Sequence, residues 1–178
     1  MKKNYDFILR VLEVISWIIF IGLCVDSGAI ILRFIYSIYK PIAAHNIFKD
    51  LVLAEMQEKQ FAHYIGLMSF IIVLSILKAY LFNLVINIFR KLNLVKPFNV
   101  EIAKLIEKIS YETFSIAIVS FIAHHYSKRL IQSGYEVSHI EKYWNDVPAF
   151  LMMAAIIYII AQIFNKGLEL QTENDLTV

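Results

Sequence analysis

Charged residues inside long apolar stretches are the first candidates for chemistry. Asp26 and Arg33 lie in the apolar run from about 7 to 39, and Lys78 is the only formal charge in the run 65–89. Ionisable groups in membrane helices often mark ion or substrate pathways. A spacing of seven places Asp26 and Arg33 on one helix face. Two interpretations stay open: a proton or ion path, and an internal Asp26–Lys78 pair that fixes helix register. We favour the pair, because the other apolar runs offer few polar groups.

The five histidines form a second pattern, together with several acidic residues. All five fall on the side of the membrane that we assign as outside: His45, His63, His124, His125 and His139. Imidazole binds Zn²⁺ and titrates near neutral pH, so a metal site or pH sensor is one interpretation. The spacing argues against it, because no HxxxH or HxxEH occurs and adjacent histidines diverge by about 100° on a helix. We therefore predict scattered interfacial histidines, no metal and no cofactor.

The elements that position these residues are long apolar helices. A helix over 65–89 covers about 37 Å, which exceeds the ~30 Å hydrocarbon core of a bilayer. The chain is 59% hydrophobic and only 18% charged, more apolar than soluble domains are. These features predict an all-α integral membrane four-helix bundle, with helices extending beyond the bilayer, in a single domain over 1–178. The predicted spans are about 7–39, 65–89, 110–128 and 148–164.

Several functional classes find no support in the sequence. The net charge of +2 is too small to indicate direct nucleic-acid binding. Cys24 is the single cysteine, so the chain can form no internal disulfide. No P-loop, GxSxG, HExxH, CxxC or Rossmann glycine pattern occurs, and we predict that the protein is not an enzyme.

Shorter signals mark how the spans begin, end and pack. Apolar and polar residues alternate at helical spacing over 47–55, which indicates a short amphipathic surface helix. Asn99 is a suitable N-cap for a charged helix that leads into the third span, and Gly134 is a suitable helix stop. Gly22 and Gly28 would let a neighbouring helix approach the first span closely.

The distribution of lysine and arginine favours both termini inside the cell. Basic residues next to span ends on that side are Lys2, Lys3, Arg10, Arg90, Lys91 and Lys166. The opposite interface would then hold a belt of aromatic residues, Tyr36, Tyr39, Tyr64, Tyr143 and Trp144.

Two stretches carry a resemblance to a known family. The ending GLELQTENDLTV, residues 167–178, and the turn Lys96-Pro97-Phe98-Asn99 followed by a charged amphipathic helix resemble the domain-of-unknown-function 2975 family. The resemblance implies a small four-span bacterial protein of the cytoplasmic (inner) membrane. It implies no activity for particular residues. Members are often encoded beside small helix-turn-helix regulators, which implies such a regulator as a possible membrane-recruited partner.

The resulting functional hypothesis is a non-enzymatic membrane protein that acts as a partner or regulator of another protein, or forms a homo-oligomer. The candidate docking residues are Pro97, Phe98, Asn99, Leu168, Leu170, Glu173, Asn174 and Asp175. A helical extension of the last span that simply packs against the bundle is the equally weighted alternative for the tail. The alternative function is a small transporter or channel that uses Asp26, Arg33 and Lys78.

Overall fold

A computed structural model describes residues 2–39, 60–92, 98–135 and 137–176. Four long α-helices and one 3₁₀ helix account for most of these residues: α1 Lys2–Tyr39, α2 Phe61–Lys91, α3 Val100–Gln132, the 3₁₀ helix Ser138–Tyr143 and α4 Val147–Leu176. The part of the chain so described contains no strand, and the all-α bundle predicted from the sequence is confirmed. The predicted surface helix at 47–55 lies outside the described residues.

The chain divides into two compact units, and each takes segments from several helices. The first unit comprises Met1–Gly22, Ala79–Ser115 and Pro148–Val178. The second comprises Leu23–Lys78 and Ile116–Val147. We describe the packing of each unit separately.

Three segments are long and apolar enough to cross a membrane: Phe7–Tyr39, Phe61–Lys91 and Ile140–Asn174. Helix α3 is long enough, but charged residues such as Glu101, Lys104 and Lys108 fill its first turns and lower its hydropathy. The helices therefore support a membrane protein, while the crossing by α3 remains a prediction.

Helix α1 buries almost nothing except small hydroxyl residues. Among the side chains of α1 that the structure describes, from residue 7 onward, the buried ones are Ser16, Ser27 and Ser37, and apolar side chains remain exposed on its other faces. The predicted close approach at Gly22 and Gly28 is wrong for the described residues, because a Cβ at either glycine would meet nothing within 4 Å. Serine, which is nearly as small, supplies the packing face instead.

Helix α3 packs through a strict seven-residue repeat. The repeat buries Ile102, Ile109, Ile116, Ala123 and Leu130. Apart from Ile106, the flanking buried positions carry small residues: Ala103, Ser110, Thr113, Ala117, Ser120 and Ser127. Such small side chains allow helix backbones to approach closely in lipid. In the first unit the Ser110 hydroxyl donates a hydrogen bond of 3.0 Å to the Ala154 carbonyl oxygen of α4.

Helix α4 packs along one narrow seam and exposes an apolar surface elsewhere. Ala154 and Ala161, seven residues apart, are its buried positions among those described. Ala161 joins Ile102 and Ile106 in a core cluster of the first unit, and Phe164 packs against that cluster. The exposed side is apolar for several turns, with Leu151, Met152, Ile156, Ile159 and Ile163. This is the pattern of a helix that faces lipid.

The predicted helix ends are confirmed. Asn99 caps α3, because its Oδ1 accepts a 2.8 Å hydrogen bond from the Glu101 backbone N–H. Gly134, at φ +90°, ends the same helix. The Tyr135 N–H donates to the Leu130 carbonyl oxygen and the Gly134 N–H to that of Ile131, which is a Schellman motif.

Candidate functional site

The second unit contains a cavity of about 340 Å³ between α1, α2 and the 3₁₀ segment. Its described lining brings together the three charged residues that the sequence singles out, Asp26, Arg33 and Lys78. The other lining residues are Leu23, Ser27, Ala29, Ile30, Ser75 and Tyr143. Asp26 and Arg33 are exposed whereas Lys78 is half-buried, so the cavity is a cleft that is open on its α1 side.

Lys78 makes its described contacts with the segment that precedes α4. Its Nζ donates a hydrogen bond of 3.3 Å to the Tyr143 carbonyl oxygen. Asp146 also lies close enough to attract the ammonium group electrostatically. Lys78 and Asp26 line the same cleft, and the direct ion pair between them stays a prediction.

The serines of the cleft differ in their hydrogen bonding. Ser75 donates to the Ile71 carbonyl oxygen at 2.8 Å. Ser27 is 7% exposed, and its hydroxyl has no hydrogen-bond partner among the described residues. A buried hydroxyl without a partner is costly and needs an explanation. The Ser27 hydroxyl is therefore a polar group of this cleft that lacks a described hydrogen-bond partner.

Four residues of functional interest are not identified as site residues from the sequence. Ser27 and Ser75 are uncharged, although Ser27 directly follows Asp26 and shares its turn. Tyr143 contributes through a backbone oxygen, which no residue type reveals. Glu112 could have been found, since it is an acid within the predicted third span. It is half-buried in the first unit, and its Oε1 atom has no hydrogen-bond partner among the described residues.

The histidines that the structure describes take part in aromatic packing and hydrogen bonding. His63 Nδ1 and the Tyr126 hydroxyl are 2.8 Å apart. The His125 ring packs edge-on against Phe121, with 4.4 Å between ring centroids. No group of three potential metal ligands occurs among the residues searched, which exclude His45. The side chain of His139 likewise lies outside the described part.

Two members of the predicted aromatic belt are buried, so that prediction is wrong for them. Tyr64 is 0% exposed and Trp144 is 1% exposed. The Tyr64 hydroxyl lies 2.5 Å from Ser37 Oγ, which itself donates to the Phe34 carbonyl oxygen. A partner inside the protein removes the need for Tyr64 to reach the membrane interface. Tyr36 and Tyr39 are exposed, and their place in an interfacial belt stays a prediction.

The first unit brings the turn before α3 against the last part of α4. The Phe98 and Phe164 rings meet edge to face, with 5.4 Å between centroids. Gly167 gives the Phe98 ring room, because a Cβ there would lie 2.5 Å from Phe98 Cε1. We call the surface formed by the described residues 98–104 and 167–174 the turn–tail surface. Pro97 lies outside the described residues, and so does the side chain of Asp175.

The predicted docking residues have different roles on the turn–tail surface. The tail is helical to Leu176, so the helical extension is what the structure shows. Leu168 is half-buried and Leu170 is exposed, while Glu173 and Asn174 each make a contact with another residue. Phe98, at 37% exposed, mainly joins the turn to α4. Among the predicted docking residues that the structure describes, Leu170 is the most accessible apolar side chain.

Charged side chains surround this surface. Lys91 and Glu101 form an ion pair that links the end of α2 to the start of α3. Lys166 and Glu169 form another on α4, at 2.7 Å. One turn beyond Lys104, the Lys108 ammonium nitrogen lies 5.7 Å from the centroid of the Tyr80 ring, and its interaction with the Tyr80 side chain raises the pKa of Lys108. The surface is thus polar, in contrast to the apolar flanks of α1 and α4.

Comparison with known proteins assigns the chain to a family. The sequence matches the family described as "Protein of unknown function (DUF2975)" over residues 40–178. The chain belongs to the DUF2975 family. No curated protein and no solved structure matches the chain significantly.

The region matched by the DUF2975 family contains the described turn–tail surface but only part of the cleft. It includes the turn–tail surface and the Lys78 side of the cleft. Helix α1 precedes residue 40, so Asp26, Ser27 and Arg33 come from a segment outside the matched region. The two features can therefore have separate functions within this DUF2975 protein.

Proposed function

We propose that this DUF2975 protein is a four-span, non-enzymatic protein of the bacterial cytoplasmic membrane that acts as a partner or regulator of another protein. Both termini and the turn–tail surface face the cytoplasm in this proposal. The observation that carries it is the ordered packing of Phe98 against Phe164 and Gly167. It joins the turn and the tail, two segments distant in sequence, into one polar surface at the end of apolar helices.

The exposed side of α3 supports a fourth span. Its first turns expose Glu101, Lys104 and Lys108. The exposed residues over the next three turns are apolar or aromatic: Tyr111, Phe114, Ile118, Phe121 and Ile122. Water would disfavour such a contiguous apolar stripe, whereas lipid accommodates it. In this proposal α3 enters the bilayer near residue 110, where its exposed surface changes from charged to apolar.

The proposed partner is a cytoplasmic protein of the class of small helix-turn-helix regulators. Only the family resemblance suggests that class. Leu170 offers an exposed apolar anchor, and the exposed charged residues Lys104 and Glu169 belong to the same unit. An apolar anchor inside a polar rim is typical of protein interfaces.

Photo-crosslinking in intact cells tests the partner role. A crosslinking amino acid is placed at Leu170 or, as matched control, at Ile159, which is also exposed on α4 but on its lipid-facing apolar section. We expect Leu170 to capture one cytoplasmic protein with a helix-turn-helix domain in stoichiometric amounts, and Ile159 to capture none. Identical products at both positions, or no protein product at Leu170, would contradict the proposal.

A transporter or channel is the second candidate, which the cleft specifically favours. Three charged residues face one cavity of about 340 Å³ within segments that are otherwise apolar. Lys78→Met would then abolish flux while leaving the protein folded, whereas Lys128→Met, at an exposed position of α3, would not. Flux that is the same in both variants and in liposomes without protein would exclude this role.

A further inference from the structure

We propose that the cleft binds a phosphate group that carries an amine, either as a lipid head group or as a free phosphorylated amine. Arg33 and Lys78 bind the phosphate oxygens, Ser27 donates one further hydrogen bond, and Asp26 receives the ammonium group. This inference is independent of the turn–tail surface and of the partner proposed for it.

The donor groups of the cleft suit a phosphate. Arginine offers several N–H donors in a planar fork that matches phosphate oxygens, and it cannot lose its proton at physiological pH. Lys78 adds the positive charge of its ammonium group, whose described hydrogen bond goes to the Tyr143 carbonyl oxygen. Both residues line the same cavity. Together they provide charged donors around one space, which is what an anionic oxygen group requires.

The Ser27 hydroxyl is the second and independent sign of a ligand. It lines the cavity, is more than nine-tenths buried and has no hydrogen-bond partner among the described residues. Most buried hydroxyls in proteins are paired. Its neighbour Ser75 already donates to the backbone. An oxygen atom of a ligand in the cleft would accept a hydrogen bond from the Ser27 hydroxyl.

The acidic groups determine which phosphate compound fits. The cleft is lined by Asp26, Arg33 and Lys78, and Asp146, which is not a lining residue, attracts the Lys78 ammonium group electrostatically. These four side chains sum to no net charge, so a simple anion would lack compensation near Asp26. A molecule with both a phosphate and an ammonium group matches the pattern. Asp26 and Arg33 are two helical turns apart, about 10.5 Å along α1, which leaves room for a ligand between their charged ends.

The cleft is open on its α1 side, so such a molecule can enter it from the surrounding lipid. Asp26 and Arg33 are exposed, and their exposed neighbours on α1 are apolar, including Val25, Leu32 and Ile35. Exposed charges on a lipid-facing helix are costly unless they reach polar groups. A head group drawn to the cleft would supply those polar groups. A cavity of about 340 Å³ also lies within the size range of small-molecule sites.

Native mass spectrometry of the intact protein, released from detergent micelles, tests the proposal. The probes are phosphatidylethanolamine, phosphatidylglycerol and soluble O-phosphoethanolamine. The variants are Arg33→Gln, Ser27→Ala and Asp26→Asn, with Arg129→Gln as control, since Arg129 is an exposed arginine of the same unit outside the cleft. Thermal unfolding of each variant verifies that it is folded.

We expect phosphatidylethanolamine to bind the wild type and Arg129→Gln equally, and Arg33→Gln at least tenfold more weakly. Ser27→Ala should weaken binding several-fold. Asp26→Asn should remove the preference for phosphatidylethanolamine over phosphatidylglycerol. If millimolar O-phosphoethanolamine displaces phosphatidylethanolamine, the ligand of the cleft is a free phosphorylated amine. If it does not, the ligand is the lipid. Equal binding by Arg33→Gln and Arg129→Gln, or no preference for the amine-bearing lipid in the wild type, would overturn the proposal.

Discussion

Replacing Gly167 with alanine is expected to separate the turn before α3 from α4. A Cβ at this position would lie 2.5 Å from Cε1 and 2.6 Å from Cδ1 of Phe98. Favourable carbon–carbon contacts are about 3.5 to 4.0 Å, so the Phe98 ring has to move. The substitution also has a favourable term, because alanine is better than glycine inside a helix by about 1 kcal/mol.

The size of the effect follows from the burial of the ring. Phe98 is 37% exposed, so close to two-thirds of its surface is covered. A phenylalanine buries about 200 Å² when fully covered, and the covered part is worth about 3 kcal/mol at roughly 25 cal/mol per Å². Displacement of the ring from α4 therefore outweighs the helix-propensity gain. We expect Gly167→Ala to lower the free energy of unfolding by about 2 kcal/mol.

Equilibrium unfolding in mixed detergent micelles, monitored by helical circular dichroism, measures this change. Gly22→Ala is the matched control, because the same substitution there meets no atom within 4 Å in the described part of the chain and should raise stability by about 1 kcal/mol. In a Phe98→Ala background, Gly167→Ala should also become stabilising. If Gly167→Ala stabilises the otherwise unchanged protein as much as Gly22→Ala does, the proposed turn–tail packing is wrong.

Three further substitutions follow from the same structure, each measured by the same unfolding assay. Asn99→Ala should lower stability by about 1 kcal/mol through loss of the N-cap, and an unchanged midpoint would count against that cap. Ala161→Leu should cost about 1 to 3 kcal/mol by overpacking a fully buried position, while Ile160→Leu on the exposed face should cost little; equal effects would refute the assigned seam. Tyr64→Phe should cost about 1 kcal/mol because it removes the buried hydroxyl beside Ser37, and a neutral result would show that this contact does not contribute.

Long-range apolar character and helix-end chemistry could be predicted from the sequence. The second run, 65–89, corresponds to α2, which extends it by a few residues at each end. Asn99 and Gly134 act locally, through bonds to residues within one turn, so their roles are legible in sequence. Helical spacing places Asp26 and Arg33 on one face of α1, and both line the cleft that Lys78 of α2 also lines.

Packing faces were harder to predict, for a physical reason. Helix α1 is apolar all round, so its sequence has no period that distinguishes a buried side from a lipid-exposed one. The glycines therefore suggested the wrong face, and Ser16, Ser27 and Ser37 form the right one. The positions of Tyr143 and Trp144 depend on the path of the chain between α3 and α4. That path is set by tertiary packing, and the sequence pattern does not encode it locally.

The central claim is that α3 crosses the bilayer as the fourth span. The most direct measurement labels single cysteines in right-side-out and inverted membrane vesicles with a membrane-impermeant maleimide, in a Cys24→Ser background. Lys104→Cys and Arg129→Cys lie at the two ends of the helix, and both positions are exposed. We predict that Lys104→Cys is labelled only from the cytoplasmic side and Arg129→Cys only from the opposite side. Labelling of both from the same side would contradict the account.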